Sequence, residues 1–375
     1  MPADLPLHRP LLGDAEISAV TEVLQSGFLV QGPKVAAFEA GLAERLGLAE
    51  VIACSSGTAA LHLALAAMDC SPGDEVIVPA FGFPATANAV ELCGATAIPA
   101  DIDPERMSLS VESVSRRATE RTVGVVPVHP FGIPAPMPKL TALADERGWW
   151  MVEDAACALG TETQGRWSQG EHPVCLSFHP RKTVTTGEGG AVGVNDPALA
   201  CRLRQLRNHG IAADGVDRGW SRFTSVGFNY RMTDLAAAIG VVQLDRLDEF
   251  VSRRRQVVAW YREHLATIEG VRWPQGYELE RLSTQSLVVE VLPEGRRDRV
   301  ITDLAAQGIS TTIGGYGLAS QPFWAERDGL APSDYPVATR MAEAALTLPV
   351  THEMTESDVR RVVHALDHAT RLTHE

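Results

Sequence analysis

The sequence predicts an α/β protein, a mostly parallel central sheet flanked by helices, with a smaller C-terminal α+β domain. Three observations carry this expectation. Short apolar runs alternate with helix-period segments between about residues 50 and 195. Strands separated by helices form parallel sheets covered on both faces. After residue 250 the register changes to a strand-like "STQSLVVEVL", a helix-like "RDRVITDLAAQG" and a last helical stretch. The chain of 375 residues is long enough for two domains with sizeable cores.

In order, "VIAC" (51–54) precedes the helical "GTAALHLALAAMD", and "EVIVPA" (75–80) precedes "ATANAVELCG". "ATAIPADID" and "TVGVVPVHPFG" follow, then a helix near 138–147, then the strand "WWMVEDAA". "PVCLSFHPRK" contains a strand ending at Ser177–Phe178. A long helical pattern runs from Asp234 through Leu265. "MTESDVRRVVHALDHATRL" opens with a capping-box pair, Thr355 and Asp358. The expected division is a large domain over 1–250 and a small one over 251–375, with the long helix able to bridge them.

Composition excludes several classes. A net charge of −14 argues against a general nucleic-acid binder. No run of eighteen apolar residues exists, so no membrane span is expected. "MPADLPLHRPLLGDAE" lacks the apolar core of a secretory signal. The six cysteines are scattered, which reads as free thiols in a reducing cytoplasm. His364 and His368 share a helix face but have no third ligand nearby, so no metal is assigned.

Chemistry concentrates in three places. In "CSSGTAALHLAL" a strand ends at Cys54 and a helix opens near Gly57, so free N–H groups and the positive helix end favour an anion. An ordinary turn capped by Ser56 has the same pattern. Neither G-K-[ST] nor G-x-G-x-x-G occurs. In "WWMVEDAACALG" Asp154 ends an apolar strand at its carboxyl end, where open α/β sheets bind ligands. Such a carboxylate needs a cationic partner. It is a helix cap, a structural ion pair, or the counter-charge of a protonated heteroaromatic nitrogen such as that of pyridoxal phosphate. In "SFHPRKTVTTGEGG" Lys182 follows the next strand, 28 residues on, at the same sheet edge. It is either a solvated turn lysine or a nucleophilic amine suited to a Schiff base.

"SGTAAL", "VEDAA-A-G", "SFHPRKTVTTGEGG" and "GFNYRMTDLAAAIGVVQL" resemble the sugar aminotransferases of the DegT/DnrJ/EryC1/StrS family over nearly the whole chain. The resemblance implies a fold-type I transferase that uses pyridoxal 5′-phosphate. It implies that Lys182 carries the cofactor and shuttles a proton, and that Asp154 pairs with its ring nitrogen. Gly57, Thr58, Ala59 and Ser177 would hold the phosphate. Phe83 would stack on the ring, although read alone it is a core aromatic. Asn229 would reach the phosphate of a neighbouring subunit, giving a homodimer with shared sites; read alone it is a turn residue. Cys157 stands where the family has Gln near the ring hydroxyl, and thiols donate weakly.

The resemblance of "TTGEGG" points to amination at C4 of a nucleotide-linked 4-keto-6-deoxyhexose, with L-glutamate as donor, by a ping-pong mechanism. Related dehydratases carry His in place of the lysine, so Lys182 argues for transamination. A cyclitol or shikimate-like ketone, or a non-catalytic regulatory protein on the same fold, are the alternatives. His209, Arg231 and Tyr316 are candidates for sugar or diphosphate contact, within the segments 207–227 and 311–323. "HPFG" (129–132) is expected to face substrate. The run Arg253–Arg255 reads as a solvated helix face.

Overall fold

The computed structural model describes residues 4–162, 171–217, 220–274 and 281–371. Glu75–Pro79 is buried along its whole length and pairs in parallel with Thr96–Ala100 on one side and Thr122–Val125 on the other. Trp150–Met151 completes this four-stranded ladder. A second ladder runs Glu50–Cys54, Gly190–Val194, Val174–Ser177, Glu153–Asp154. Only Val152 separates the two ladders along the chain. The Asp154 N–H donates to the Pro127 carbonyl at 2.9 Å and the His129 N–H to the Asp154 carbonyl at 3.0 Å, so the ladders continue into each other at this point.

One strand, Gly190–Val194, runs antiparallel to both neighbours. The chain between Ser177 and Gly190 forms no helix, and a parallel return would need a crossover. The excursion therefore turns back on itself and presents Lys182 at the carboxyl end of Val174–Ser177. Helix Gly57–Ala67 begins against these strands. A Cβ on Gly190 would lie 2.2 Å from the Ser56 carbonyl oxygen, so only glycine lets helix and strand approach this closely.

The C-terminal sheet is antiparallel in the order Val271–Arg272, Leu287–Val291, Ala345–Leu348, Thr312–Ile313. Val300 and Leu304 of helix Arg297–Ala305 and Val359 and Leu366 of helix Glu356–Arg371 share its core. The expected capping pair forms: the Thr355 N–H donates to Asp358 Oδ2 at 2.8 Å, and the Asp358 N–H to Thr355 Oγ1 at 3.2 Å. The helical pattern over 234–265 is two helices, Asp234–Asp245 and Leu247–Leu265, meeting at Arg246. Leu247, Phe250 and Val251 pack with Phe38, Leu176 and Phe178, whereas Val257, Val258 and Tyr261 pack with Val288, Leu346 and Leu366. The second helix thus joins two hydrophobic cores. Leu5 exchanges backbone hydrogen bonds with Gly308 and Ser310, placing the start of the described chain beside the C-terminal sheet.

The arginine run departs from the expected solvated face. Arg254 is only 2% exposed, and its Nη1 donates to the Gln285 and Val350 carbonyls at 3.0 and 3.2 Å. Arg253 Nε reaches the His352 carbonyl at 2.9 Å, and Arg255 Nε the Leu282 carbonyl at 2.8 Å. Guanidinium groups supply the donors that irregular backbone around the C-terminal sheet requires. Among the described residues no helix is long and apolar enough to cross a membrane.

Candidate active site

Ser56 caps helix Gly57–Ala67, its Oγ accepting from the Ala59 N–H at 3.1 Å. The Gly57 and Thr58 N–H groups find no acceptor among the described residues. They sit at the positive end of the helix, beside the half-buried Ser177. A Cβ on Gly57 would lie 2.7 Å from Ser177 Cβ, so the helix start with its two free N–H groups lies against Ser177, while the Ala59 N–H is taken up by the Ser56 cap. Such a cradle suits a phosphate.

Asp154 is 6% exposed. Thr86 Oγ1 donates to its Oδ2 at 2.6 Å, and the Ala156 N–H donates to Oδ1 at 3.1 Å. Among the described residues no basic side chain pairs with it. A buried carboxylate held by one hydroxyl and one amide lacks a counter-charge, and a protonated pyridine nitrogen supplies one. The residues present therefore fit pyridoxal phosphate at both ends, anion cradle and carboxylate.

Asp154 pairs across the sheet with Cys175, and Lys182 follows that strand, so the two residues share one edge. Lys182 Nζ donates to Cys157 Sγ at 3.1 Å. Its backbone N–H donates to the His179 carbonyl at 2.8 Å, closing a tight turn. The surroundings of this turn are basic. Burial holds the His179 imidazole below its ordinary value, with Lys182 and Arg181 adding to the depression against the opposing pull of Glu188. His8, from the N-terminal segment, is pushed down to about 3, first by burial and then by Arg254, Arg181, Lys182 and His179.

Phe83 is 74% exposed, its ring 6.3 Å from that of Tyr316 in an edge-on contact. The core reading of Phe83 fails, because the Phe81–Gly82 strand pairs with Tyr316–Gly317 and leaves the next side chain outside. Phe83, Thr86 and Val128 line one small hollow, and Val128 bridges to Asp154. Asn229 is exposed, while its neighbours Phe228 and Tyr230 turn inward and stack at 4.9 Å, with Tyr230 Oη 3.1 Å from His62 Nδ1. Arg231 donates to Asn208 Oδ1 at 2.7 Å. His209 is exposed on a backbone of φ +57°. In the segment 207–227, residues 218 and 219 lie outside the described residues.

In "HPFG" three of the four residues are buried and Phe131 is half-buried. His129 is buried with Nε2 3.0 Å from Glu153 Oε2, and its Nδ1 accepts from the Ala135 N–H at 3.0 Å. Pro130 and Gly132 are buried too. The sequence offered no sign of this pair, nor of Thr86 as partner of Asp154, because the contacts join strands and helices far apart in the chain.

Comparison with known proteins agrees with this geometry. The sequence pattern of the DegT/DnrJ/EryC1/StrS aminotransferase family matches residues 10–367. GDP-perosamine synthase of Caulobacter vibrioides is 37% identical over 374 residues, covering 97% of this chain and 99% of the relative. The aminotransferase TlmJ of Streptoalloteichus hindustanus superposes with a TM-score of 0.90 at 33% identity, covering 99% of this chain and all of its own. Spr1654 of Streptococcus pneumoniae, assigned as a sugar aminotransferase and captured in its PMP form, gives a TM-score of 0.93 at 25% identity over 99% of this chain and 100% of its own.

Proposed function

The chain belongs to the DegT/DnrJ/EryC1/StrS aminotransferase family, and from that premise we propose that it transfers an amino group from L-glutamate to a nucleotide-linked 4-keto-6-deoxyhexose by a ping-pong mechanism. The observation that carries the reading is the buried, cation-free Asp154 at the same sheet edge as Lys182. Support for the sugar comes from the GDP-perosamine synthase relative, named for a GDP-linked product, and from the resemblance of "TTGEGG". The donor rests on the family resemblance alone.

Pyridoxal phosphate, when bound, supplies an aldehyde that condenses with amines and a ring that accepts electrons. Asp154 would keep that ring's nitrogen charged, and Thr86 fixes which way the carboxylate points. The helix start and Ser177 hold the phosphate. Phe83 would cover one face of the ring. Lys182 Nζ would hold the cofactor and would move a proton at the reacting carbon as general base and acid. Cys157, 3.1 Å from that amine, would lie beside the ring hydroxyl of the bound cofactor. Asn229, exposed on its own protomer, would complete the phosphate site of a second copy; the exposed Trp220 and Phe223 of strand Trp220–Phe223 and the exposed Val226 beyond it are suited to the contact. His209, Arg231 and Tyr316 contact the sugar or its diphosphate.

The test begins with Lys182→Ala. Turnover is expected to fall by on the order of a thousandfold or more, with loss of the yellow colour of the wild-type protein. A variant that still turned over would refute the mechanism. L-Glutamate alone should bleach wild-type protein, and a colour that persists excludes it as donor. Offered nucleotide-linked 4-keto-6-deoxyhexoses beside cyclitol ketones, the enzyme should aminate the sugars; amination of the cyclitol alone would overturn the substrate.

A further inference from the structure

The segment Leu282–Ser286, which leads into strand Leu287–Val291, holds a residue of constrained backbone near Lys182. Thr284 is fully buried at φ +48°. That region suits glycine, and a β-branched residue there costs on the order of 1–3 kcal/mol. The residues on either side each reach one of the two loops that meet at the amine. Ser283 Oγ donates to the Cys157 carbonyl at 3.3 Å. Gln285 Nε2 donates to the Arg181 carbonyl at 2.7 Å, one residue before Lys182.

Gln285 is itself fixed on every side. Its Oε1 accepts from Ser286 Oγ at 3.0 Å, and its carbonyl accepts from Arg254 Nη1 at 3.0 Å. Upstream, the Ser283 N–H donates to Thr161 Oγ1 at 3.0 Å and the Leu282 carbonyl accepts from Arg255. The side-chain amide of Gln285 is buried and committed to the Lys182 turn. A contact this short to a backbone carbonyl limits where the adjoining residue can sit.

We propose that Gln285 is a positioning residue for Lys182: its amide clamps the Arg181 carbonyl and so holds the lysine amine against Cys157. The strain at Thr284 is the local cost of placing Ser283 and Gln285 at the two loops together. The inference rests on the reading of Lys182 as the cofactor-bearing amine. A displacement of about 1 Å at a reacting group can cost on the order of a hundredfold in rate, so a single lost hydrogen bond has room to act.

The experiment uses the full-length, cofactor-loaded enzyme. Gln285→Met keeps the length and removes the donor; Gln285→Glu keeps the shape and places an oxygen opposite the Arg181 carbonyl. For whichever of these folds, kcat is expected to fall about tenfold while KM for donor and acceptor stays within about twofold. The pH midpoint of the visible absorbance should move by about half a unit or more, because the lysine nitrogen has changed surroundings. Gln285→His, whose ring N–H has similar reach, is expected to recover most of the loss. Unchanged kcat and midpoint in a folded variant would overturn the clamp. So would equal losses in Gln285→His, since packing rather than the donor would then be at work. A wild-type protein whose absorbance is not carried on Lys182 would overturn the parent reading and this one together.

Discussion

Asp154 and Arg254 are both buried charges, and neither has a counter-ion among the described residues. Their surroundings nevertheless differ. Arg254 meets two backbone carbonyls from separate segments, which are acceptors the fold must satisfy anyway. Asp154 meets one hydroxyl and one N–H, too little to offset burial of a full charge. Arg254 staples two segments through its Nη1, although its buried Nε has no hydrogen-bond partner among the described residues. The aspartate remains incomplete until a cation arrives. An unmet charge marks a binding site better than burial alone does.

The contrast is broken or sharpened by replacement. The largest effect is expected from Asp154→Asn, which should lower turnover by on the order of a hundredfold or more. The cofactor-free protein should at the same time gain about 1 kcal/mol or more of stability in urea unfolding, because an uncompensated buried charge is gone. Arg254→Met should go the other way. Leaving the Gln285 and Val350 carbonyls without donors should cost about 2 kcal/mol in the same measurement. Stability changes of the same sign in the two variants would end the distinction drawn between them.

The smallest effect concerns pH. Burial and then Arg254 hold both His8 and His352 down to about 3, from an ordinary 6.5. The unfolded chain binds protons at these histidines from about 6.5 downward, whereas the folded chain refuses them until about 3. Their contribution to stability is therefore present above 6.5 and lost as pH falls toward 3. Urea midpoints should drop as pH falls from 7 toward 3, and in Arg254→Met the fall should level off at a higher pH, because the folded histidines then take up protons sooner. A fall that levels off at the same pH in both proteins would show that burial alone sets these values.

Much of the arrangement was legible in local patterns. Asp154 and Lys182 stand at strand ends, and strand ends announce themselves by an apolar run stopping at a polar residue. The helix at Gly57 was equally visible, as was the capping pair at Thr355. What escaped were contacts without a local signature. Thr86 lies 68 residues from Asp154, and Gln285 lies 104 from Arg181. The arginine run misled because charge usually means solvent. Its true partners are backbone carbonyls, which leave no mark on composition. Phe83 misled for the converse reason: aromatics usually fill cores, but a two-residue strand pairing turned this one outward.

By itself, then, the sequence determined which segments become strands and helices, and which residue types arrive at the sheet's carboxyl edge, because periodicity and strand ends are properties of neighbouring residues. Only the tertiary structure decided which buried charges are satisfied and which wait for a ligand. That balance depends on donors and acceptors brought together from distant parts of the chain.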